Sequence, residues 1–194
     1  MTDEAVMLAV RDGDVARLSI LFDRYHLPLF DFLSRTTGDR TTAEDLVQDV
    51  FVRILKYRET YRDHTRFETW VFRIARNARA DYFRTRPSTE CLAQEHETAT
   101  PGPDPMQQLE REREADRLKQ ALLQLPEDQR ELLVLARYRL MKYERIGELL
   151  GIETGAVKVR VHRAMKALRE IFLRLTDEDR PCDVKKSGTD LRII

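Results

Sequence analysis

Cysteine is almost missing from this chain of 194 residues. Its two thiols, Cys91 and Cys182, lie far apart in polar surroundings, which leaves no disulfide framework and no paired ligands for a metal. The four histidines, His26, His64, His96 and His162, are scattered and join no such cluster. Glycine is scarce too, at seven residues, and no Gly-rich phosphate loop follows a strand-like run. Neither G-x-S-x-G nor H-E-x-x-H occurs, so the catalytic motifs that announce a hydrolase are lacking. No apolar run approaches the roughly 18–20 residues of a membrane span. The opening MTDEAVMLAVRDGD has no basic start followed by an apolar stretch, unlike a signal peptide. Finally, no sign of charge dominates: 34 basic side chains face 34 acidic ones. These absences predict no catalytic residue, no metal and no cofactor, and a chain that works in a reducing cytoplasm.

What is present is helix-forming. Leu, Arg, Glu and Ala abound, charged residues make up 35 % and apolar ones 42 %, and the chain reads as all-α. Its neutral total hides unlike segments. From Arg53 to Arg86 ten basic residues meet four acidic ones; from Pro87 to Asp116 the balance is two to eight; from Pro126 to Leu175 it is eleven to seven. Such asymmetry marks separate working surfaces.

Periodicity predicts a short helix over 4–13 and a longer one over 16–36, with Pro28 inside it as a possible kink and Gly38 at its end. Thr41 and Thr42 ahead of Glu44 and Asp45 form a capping-box pattern for LVQDVFVRILKY. There Leu46, Val50 and Ile54 share one stripe, and Asp45, Gln48, Asp49 and Arg53 lie away from it. After the polar stretch RETYRDHTRFET comes a helix from Trp70 in which Val71, Ile74, Ala75, Ala78 and Tyr82 fall on one side, with Arg73, Arg76, Asn77, Phe83 and Arg84 on the others. PSTECLAQEHETATPGPDP is acidic and Pro-rich and reads as a flexible linker between two small bundles. Helix resumes near Met106.

The segment KYERIGELLG-IET-GAVKVRVHRAMKAL has the layout of a helix-turn-helix. Gly151 can take the left-handed conformation that ends the first helix, and Thr154 can cap the second. At about 100° per residue, Val157, Val161, Met165, Leu168 and Phe172 project to one side, with Ala164 filling in, and Lys158, Val159, His162, Arg163 and Lys166 to the other. A helix that grips its domain with one face and offers cations and donors on the other suits a major groove.

At these residues the chain resembles the extracytoplasmic-function (ECF) group of bacterial sigma factors. LPEDQRELLVLARYRLMKYERIGELLGIETGAVKVRVHRAMKALRE is similar to the family's promoter-binding C-terminal domain, AEDLVQDVFVRIL to its polymerase-binding helix, and FETWVFRIARNARADYFR to the segment that binds and melts the −10 element. The resemblance implies a sigma N-terminal domain over 1–88, an acidic linker over 89–110, a helix-turn-helix domain over 111–175 and a tail over 176–194. It implies that Asp45, Gln48, Asp49 and Arg53 meet core RNA polymerase. Phe67, Trp70, Arg73, Arg76, Asn77 and Arg84 would meet −10 DNA, with Tyr61 and His64 in the loop that captures a flipped base. Thr154, Lys158, Val159, Arg160, His162, Arg163 and Lys166 would meet the −35 element. Trp70 lies near the apolar stripe, so core packing competes with base stacking. Trp70 is followed by Val71, where housekeeping relatives carry a paired aromatic wedge. Val159 stands where the family often has Ser, and a valine packs against a thymine methyl instead of donating a hydrogen bond.

The partners so implied are the clamp of the largest polymerase subunit, the flap of the second-largest, promoter DNA and an anti-sigma factor, with the free chain a monomer. A stand-alone dimeric helix-turn-helix regulator is the competing reading, but it leaves AEDLVQDVFVRIL and the arginine-rich helix unexplained.

Overall fold

The computed structural model describes residues 1–85 and 105–178. Cys91, Cys182, most of the proposed linker and the LRII at 191–194 lie outside them. Eight α-helices form among the described residues: α1 (Asp3–Arg11), α2 (Leu18–Thr37), α3 (Arg40–Tyr57), α4 (Phe67–Thr85), α5 (Pro105–Gln124), α6 (Glu127–Leu133), α7 (Tyr143–Leu150) and α8 (Thr154–Glu178). No strand occurs among the described residues, as the composition leads one to expect.

Local chemistry sets the boundaries. Pro28 is accommodated inside α2, which runs on to Gly38; that glycine takes φ 82° and ends the helix because a left-handed residue costs it no Cβ clash. The start of α3 differs from the capping box read around Thr41 and Thr42. Asp39 is the cap: its carboxylate accepts from Thr42 N at 2.7 Å, so the helix begins at Arg40 and both threonines lie within its first turn. A hydrogen bond from the Thr42 side chain, followed by the backbone donors of Thr42, Thr41 and Arg40, holds the Asp39 carboxyl below its usual range. At the other end of the molecule α6 passes into a π turn over Val134–Tyr138. Leu140 follows at φ 50°, and Met141 N returns to Leu135 O at 3.0 Å, a helix stop that ordinarily falls to glycine.

Helices α1–α4 pack as one bundle, and α5, α6 and α7 each pack on α8. The first bundle is built on aromatics: Phe32 meets Phe72 edge-on at 5.3 Å, and Tyr25 meets Phe67 at 4.9 Å. The second is aliphatic, with Leu122, Leu125, Leu133, Leu135, Ile146, Leu149, Val157 and Val161 buried. The sequence predicts two bundles on a tether, and the structure adds that they touch. α4 packs on α7 and α2 packs on α5 and α6, so the buried side chains form one continuous cluster through both. Arg130 donates to Thr36 O at 2.8 Å across this seam, and the Arg35 guanidinium lies 4.0 Å from the centre of the Tyr138 ring.

Candidate nucleic-acid interface

Two helices carry the cationic surfaces. On α8 the side buried in the domain is Val157, Val161 and Ala164. Met165, read from spacing as part of that side, is 38 % exposed, because the contact swings toward Ala164, Leu168 and Ile171 as the helix leaves its bundle. Lys158, Val159, Arg160, His162, Arg163 and Lys166 are all exposed; Thr154 is half-buried at the helix start. The face is therefore open along its length. The turn that presents it depends on two glycines. Gly151 sits at φ 68° and ends α7. Gly147, which no sequence pattern singles out, has no room for a side chain: a Cβ there would lie 2.7 Å from Ile152 O. Ile152 N donates to Gly147 O at 3.0 Å, so the turn is laid directly against the α7 backbone.

On α4, Val71, Ile74, Ala75 and Ala78 are buried as their period requires, and Arg73, Asn77 and Arg84 are exposed. Trp70 is 9 % exposed and packs against Tyr61 at 5.2 Å and Phe67 at 6.1 Å. Between the two roles weighed for it, this placement is core packing. Phe67 is 0 % exposed and presents no face to a base, which corrects its place among the −10 readers: the chain turns into α4 there, and the ring plugs the space between Tyr25, Tyr61 and Trp70. Tyr61 is buried as well; its hydroxyl donates to Thr65 O at 2.5 Å. Burial, with Glu4 and Asp3 nearby, pushes its pKa up to about 12. Of that loop His64 remains exposed.

On α3, Asp45 and Gln48 are exposed, and Asp49 and Arg53 half-buried. Arg53 donates to Asp49 at 2.8 Å and to Asp81 of α4 at 2.7 Å. Burial lowers the guanidinium pKa, but the bonds to Asp81 and Asp49 outweigh it and the net shift is upward. The bond to Arg53 in turn draws Asp81 down. Arg53 thus faces inward, joining two helices, while Asp45 and Gln48 form the free outer surface.

Three residues outside the sequence-based set stand at the seam. Arg79 is 3 % exposed, and its Nη2 donates to Glu127 at 2.6 Å and Glu131 at 3.3 Å. Arg76 also pairs with Glu131. The signal was available in the three-residue steps of Arg73, Arg76 and Arg79 and the four-residue step of Glu127 and Glu131, but nothing in either pattern says that the two helices meet.

Family comparisons assign both halves. The sigma-70 region 2 family matches residues 21–88, and the sigma-70 region 4 family matches 115–168. RNA polymerase sigma factor CarQ of Myxococcus xanthus is 36 % identical over 165 residues, spanning 84 % of this chain and 92 % of CarQ. The chain belongs to the ECF sigma factors. The ECF RNA polymerase sigma factor SigW of Bacillus subtilis (strain 168) is 28 % identical over 83 % of this chain and 91 % of its own length. Among solved structures, the sigma factor RpoE of Bartonella quintana, in complex with the anti-sigma factor NepR, superposes with a TM-score of 0.64. It is 25 % identical, with 84 % of this chain and 98 % of that one covered. In sigma-factor terms, α2–α4 fall in region 2 and α6, α7 and most of α8 in region 4. The helix that a stand-alone regulator left unexplained, α3, lies inside region 2. Among the described residues no helix is long and apolar enough to cross a membrane, and no group of three or more His, Cys, Asp or Glu could hold a metal ion.

Proposed function

We propose that the chain is a promoter-specificity subunit that binds core RNA polymerase and directs where transcription starts, with no reaction of its own. The observation that carries this is the pairing, in one chain and in family order, of an exposed acidic and amide face on α3 with cationic faces on α4 and α8. Asp45, Gln48 and Asp49 dock on the clamp of the largest subunit. Arg73, Arg76, Asn77 and Arg84 follow the −10 strands, through backbone contacts and base edges. Lys158, Arg160, His162, Arg163 and Lys166 hold the −35 major groove, where Val159, half exposed, packs on a thymine methyl. The domains follow the boundaries 1–88, 89–110, 111–175 and 176–194, the acidic linker joining the two readers. The second domain also meets the polymerase flap, and an anti-sigma factor covers these faces when the protein is idle. The setting is the bacterial cytoplasm, and the free protein is a monomer.

Two small modules that bind DNA feebly become selective when polymerase fixes their separation, because the second contact is then intramolecular. Run-off transcription from a genomic fragment library, with core polymerase alone and with this chain added, tests the reading: new discrete start sites are expected. Core polymerase that starts at the same places with and without the chain overturns it.

A further inference from the structure

Helix α1 lies ahead of the residues that the sigma-70 region 2 family matches, 21–88, yet it holds both ends of the loop between α3 and α4. It is itself fixed: Val6, Met7 and Val10 are 0 % exposed, and Asp3 accepts from Arg24 Nη1 at 2.5 Å and from the Tyr25 hydroxyl at 2.6 Å. At the near end of the loop, Arg11 Nη1 donates to Asp63 Oδ1 at 2.6 Å and to Tyr61 O at 3.3 Å. At the far end, Phe67 N donates to Glu4 Oε1 at 3.4 Å, where a carboxylate also meets the positive end of the α4 dipole. Between these points the loop closes on itself: Thr65 N donates to Arg62 O at 2.9 Å, and the Tyr61 hydroxyl to Thr65 O. Tyr61 and Phe67 turn their rings inward, and Arg62, His64 and Arg66 are exposed. Asp63 is the one acid between Tyr61 and Arg66, and its carboxyl is drawn down chiefly by the Arg11 hydrogen bond. The outer surface is then two guanidiniums and an imidazole at alternate positions, flat groups on which an unpaired base stacks.

We propose that α1 is the mount of this loop, and that Arg11 and Glu4 are positioning residues for the −10 base that the loop receives. Neither touches DNA. Arg11 acts through Asp63 and the Tyr61 carbonyl, and Glu4 through the start of α4. This rests on the reading of 61–66 as the loop that meets a flipped −10 base, and it assigns the contact to Arg62, His64 and Arg66 instead of the buried Tyr61. Base readout needs its donors held to within about 0.5 Å, and a loop that is already ordered loses less freedom on binding. Stability does not explain the contact. The Arg11 side chain is 26 % exposed and that of Asp63 63 %, and an ion pair so open to water adds little to folding. What a guanidinium shared between a carbonyl and a carboxylate does supply is direction, since one helix then fixes both groups of the loop.

The test uses the full chain assembled with core polymerase. Its probe is the promoter fragment with the strongest new start in the genomic run-off, together with copies in which each −10 base is replaced in turn. Arg11→Ala and Asp63→Ala are each expected to lower discrimination at one −10 position about fivefold, with the ratios at the other positions unchanged. The double variant is expected to lose no more than either single one, because both break the same contact. Arg11→Lys keeps a cation near Asp63 and is expected to recover most of the loss. Arg17→Ala removes a cation from the exposed pair with Asp14 and is expected to change nothing. The same variants can be read without DNA. Trp70, the chain's one tryptophan, packs on Tyr61 at 5.2 Å, so acrylamide quenching of its fluorescence is expected to rise in Arg11→Ala and Asp63→Ala while the urea midpoint stays in place. An even fall in initiation on every template in Arg11→Ala, with an even rise in Asp63→Ala, would mean that Arg11 attracts phosphate directly and overturns the mount. Redirected starts with discrimination unmoved in Arg11→Ala sink the mount alone, whereas no new start from the unmodified chain sinks the sigma reading itself and the mount with it.

Discussion

The two halves of this molecule are stabilised differently. Helices α1–α4 enclose Phe32, Tyr61, Phe67 and Phe72 among their fully buried large side chains, whereas the second half fills its centre with Leu, Ile, Val and Ala. Large rings lock against each other edge-on and fix helix positions closely; small aliphatic side chains permit a thin domain whose outer helix stays open to a groove. The first half is held by these ring contacts. The second half presents α8 on one tight turn.

The largest effect that would break this contrast is removal of a ring. Phe32→Ala deletes one partner of the Phe32–Phe72 pair and is expected to cost about 3–5 kcal/mol, read as a lower urea midpoint with promoter-directed initiation lost. Next comes the turn. Gly147→Ala forces the Ile152 carbonyl aside and is expected to cost about 2–3 kcal/mol. Binding to a −35 duplex should fall while association with core polymerase through α3 survives; retention of duplex binding would show that the turn tolerates the shift.

Arg53→Leu sharpens the comparison within the first half. It strands Asp49 and leaves Asp81 to Arg84 alone, both carboxylates being partly exposed, and is expected to cost about 1–2 kcal/mol, measured by urea unfolding. Asp39→Ala removes a helix cap, for about 1 kcal/mol, and carries a pH signature. The folded carboxyl is held below the ordinary aspartate value of about 3.9, as are Asp63 by Arg11 and Asp81 by Arg53. Depressed carboxyls contribute stability that is fully present above that value and is lost as pH falls through the folded pKa. Thermal melts between pH 6 and pH 2 should therefore show a shallower acid loss in Asp39→Ala than in the unmodified chain. The smallest effect has the opposite sign. Leu140 holds a left-handed conformation with its side chain 80 % exposed, so Leu140→Gly relieves strain, sacrifices no packing and is expected to gain about 0.5 kcal/mol.

Much of this was legible in advance. The stripes Leu46–Val50–Ile54 and Val71–Ile74–Ala75–Ala78 are buried as their spacing demanded, and Gly38 and Gly151 end their helices in left-handed conformations, as read. The cationic face of α8 could be placed from angular arithmetic, since one helix determines its own sides. What periodicity cannot convey is which helix lies opposite. The resemblance offered Phe67 and Trp70 to bases, with core packing weighed for Trp70, yet rings contributed by α2 and the preceding loop enclose them. Arg79 drew no reading from its own helix, and only the arrival of Glu127 and Glu131 from about fifty residues away makes it an interior group. Asp39 outcompeted the two threonines because its extended backbone aims a charged acceptor at Thr42 N, a contest that the shared capping preferences of Asp and Thr leave undecided.

Arg53 has one last consequence. Its fork ties α3 to α4 through Asp81, so on the function proposed above the helix that would meet the enzyme and the helix that would follow the opened strands are joined as one crosspiece. A tilt imposed on α3 would then be passed through that guanidinium to the arginine row of α4. On that proposal polymerase would aim the row from a distance, as a hand on a tiller sets a rudder it never touches.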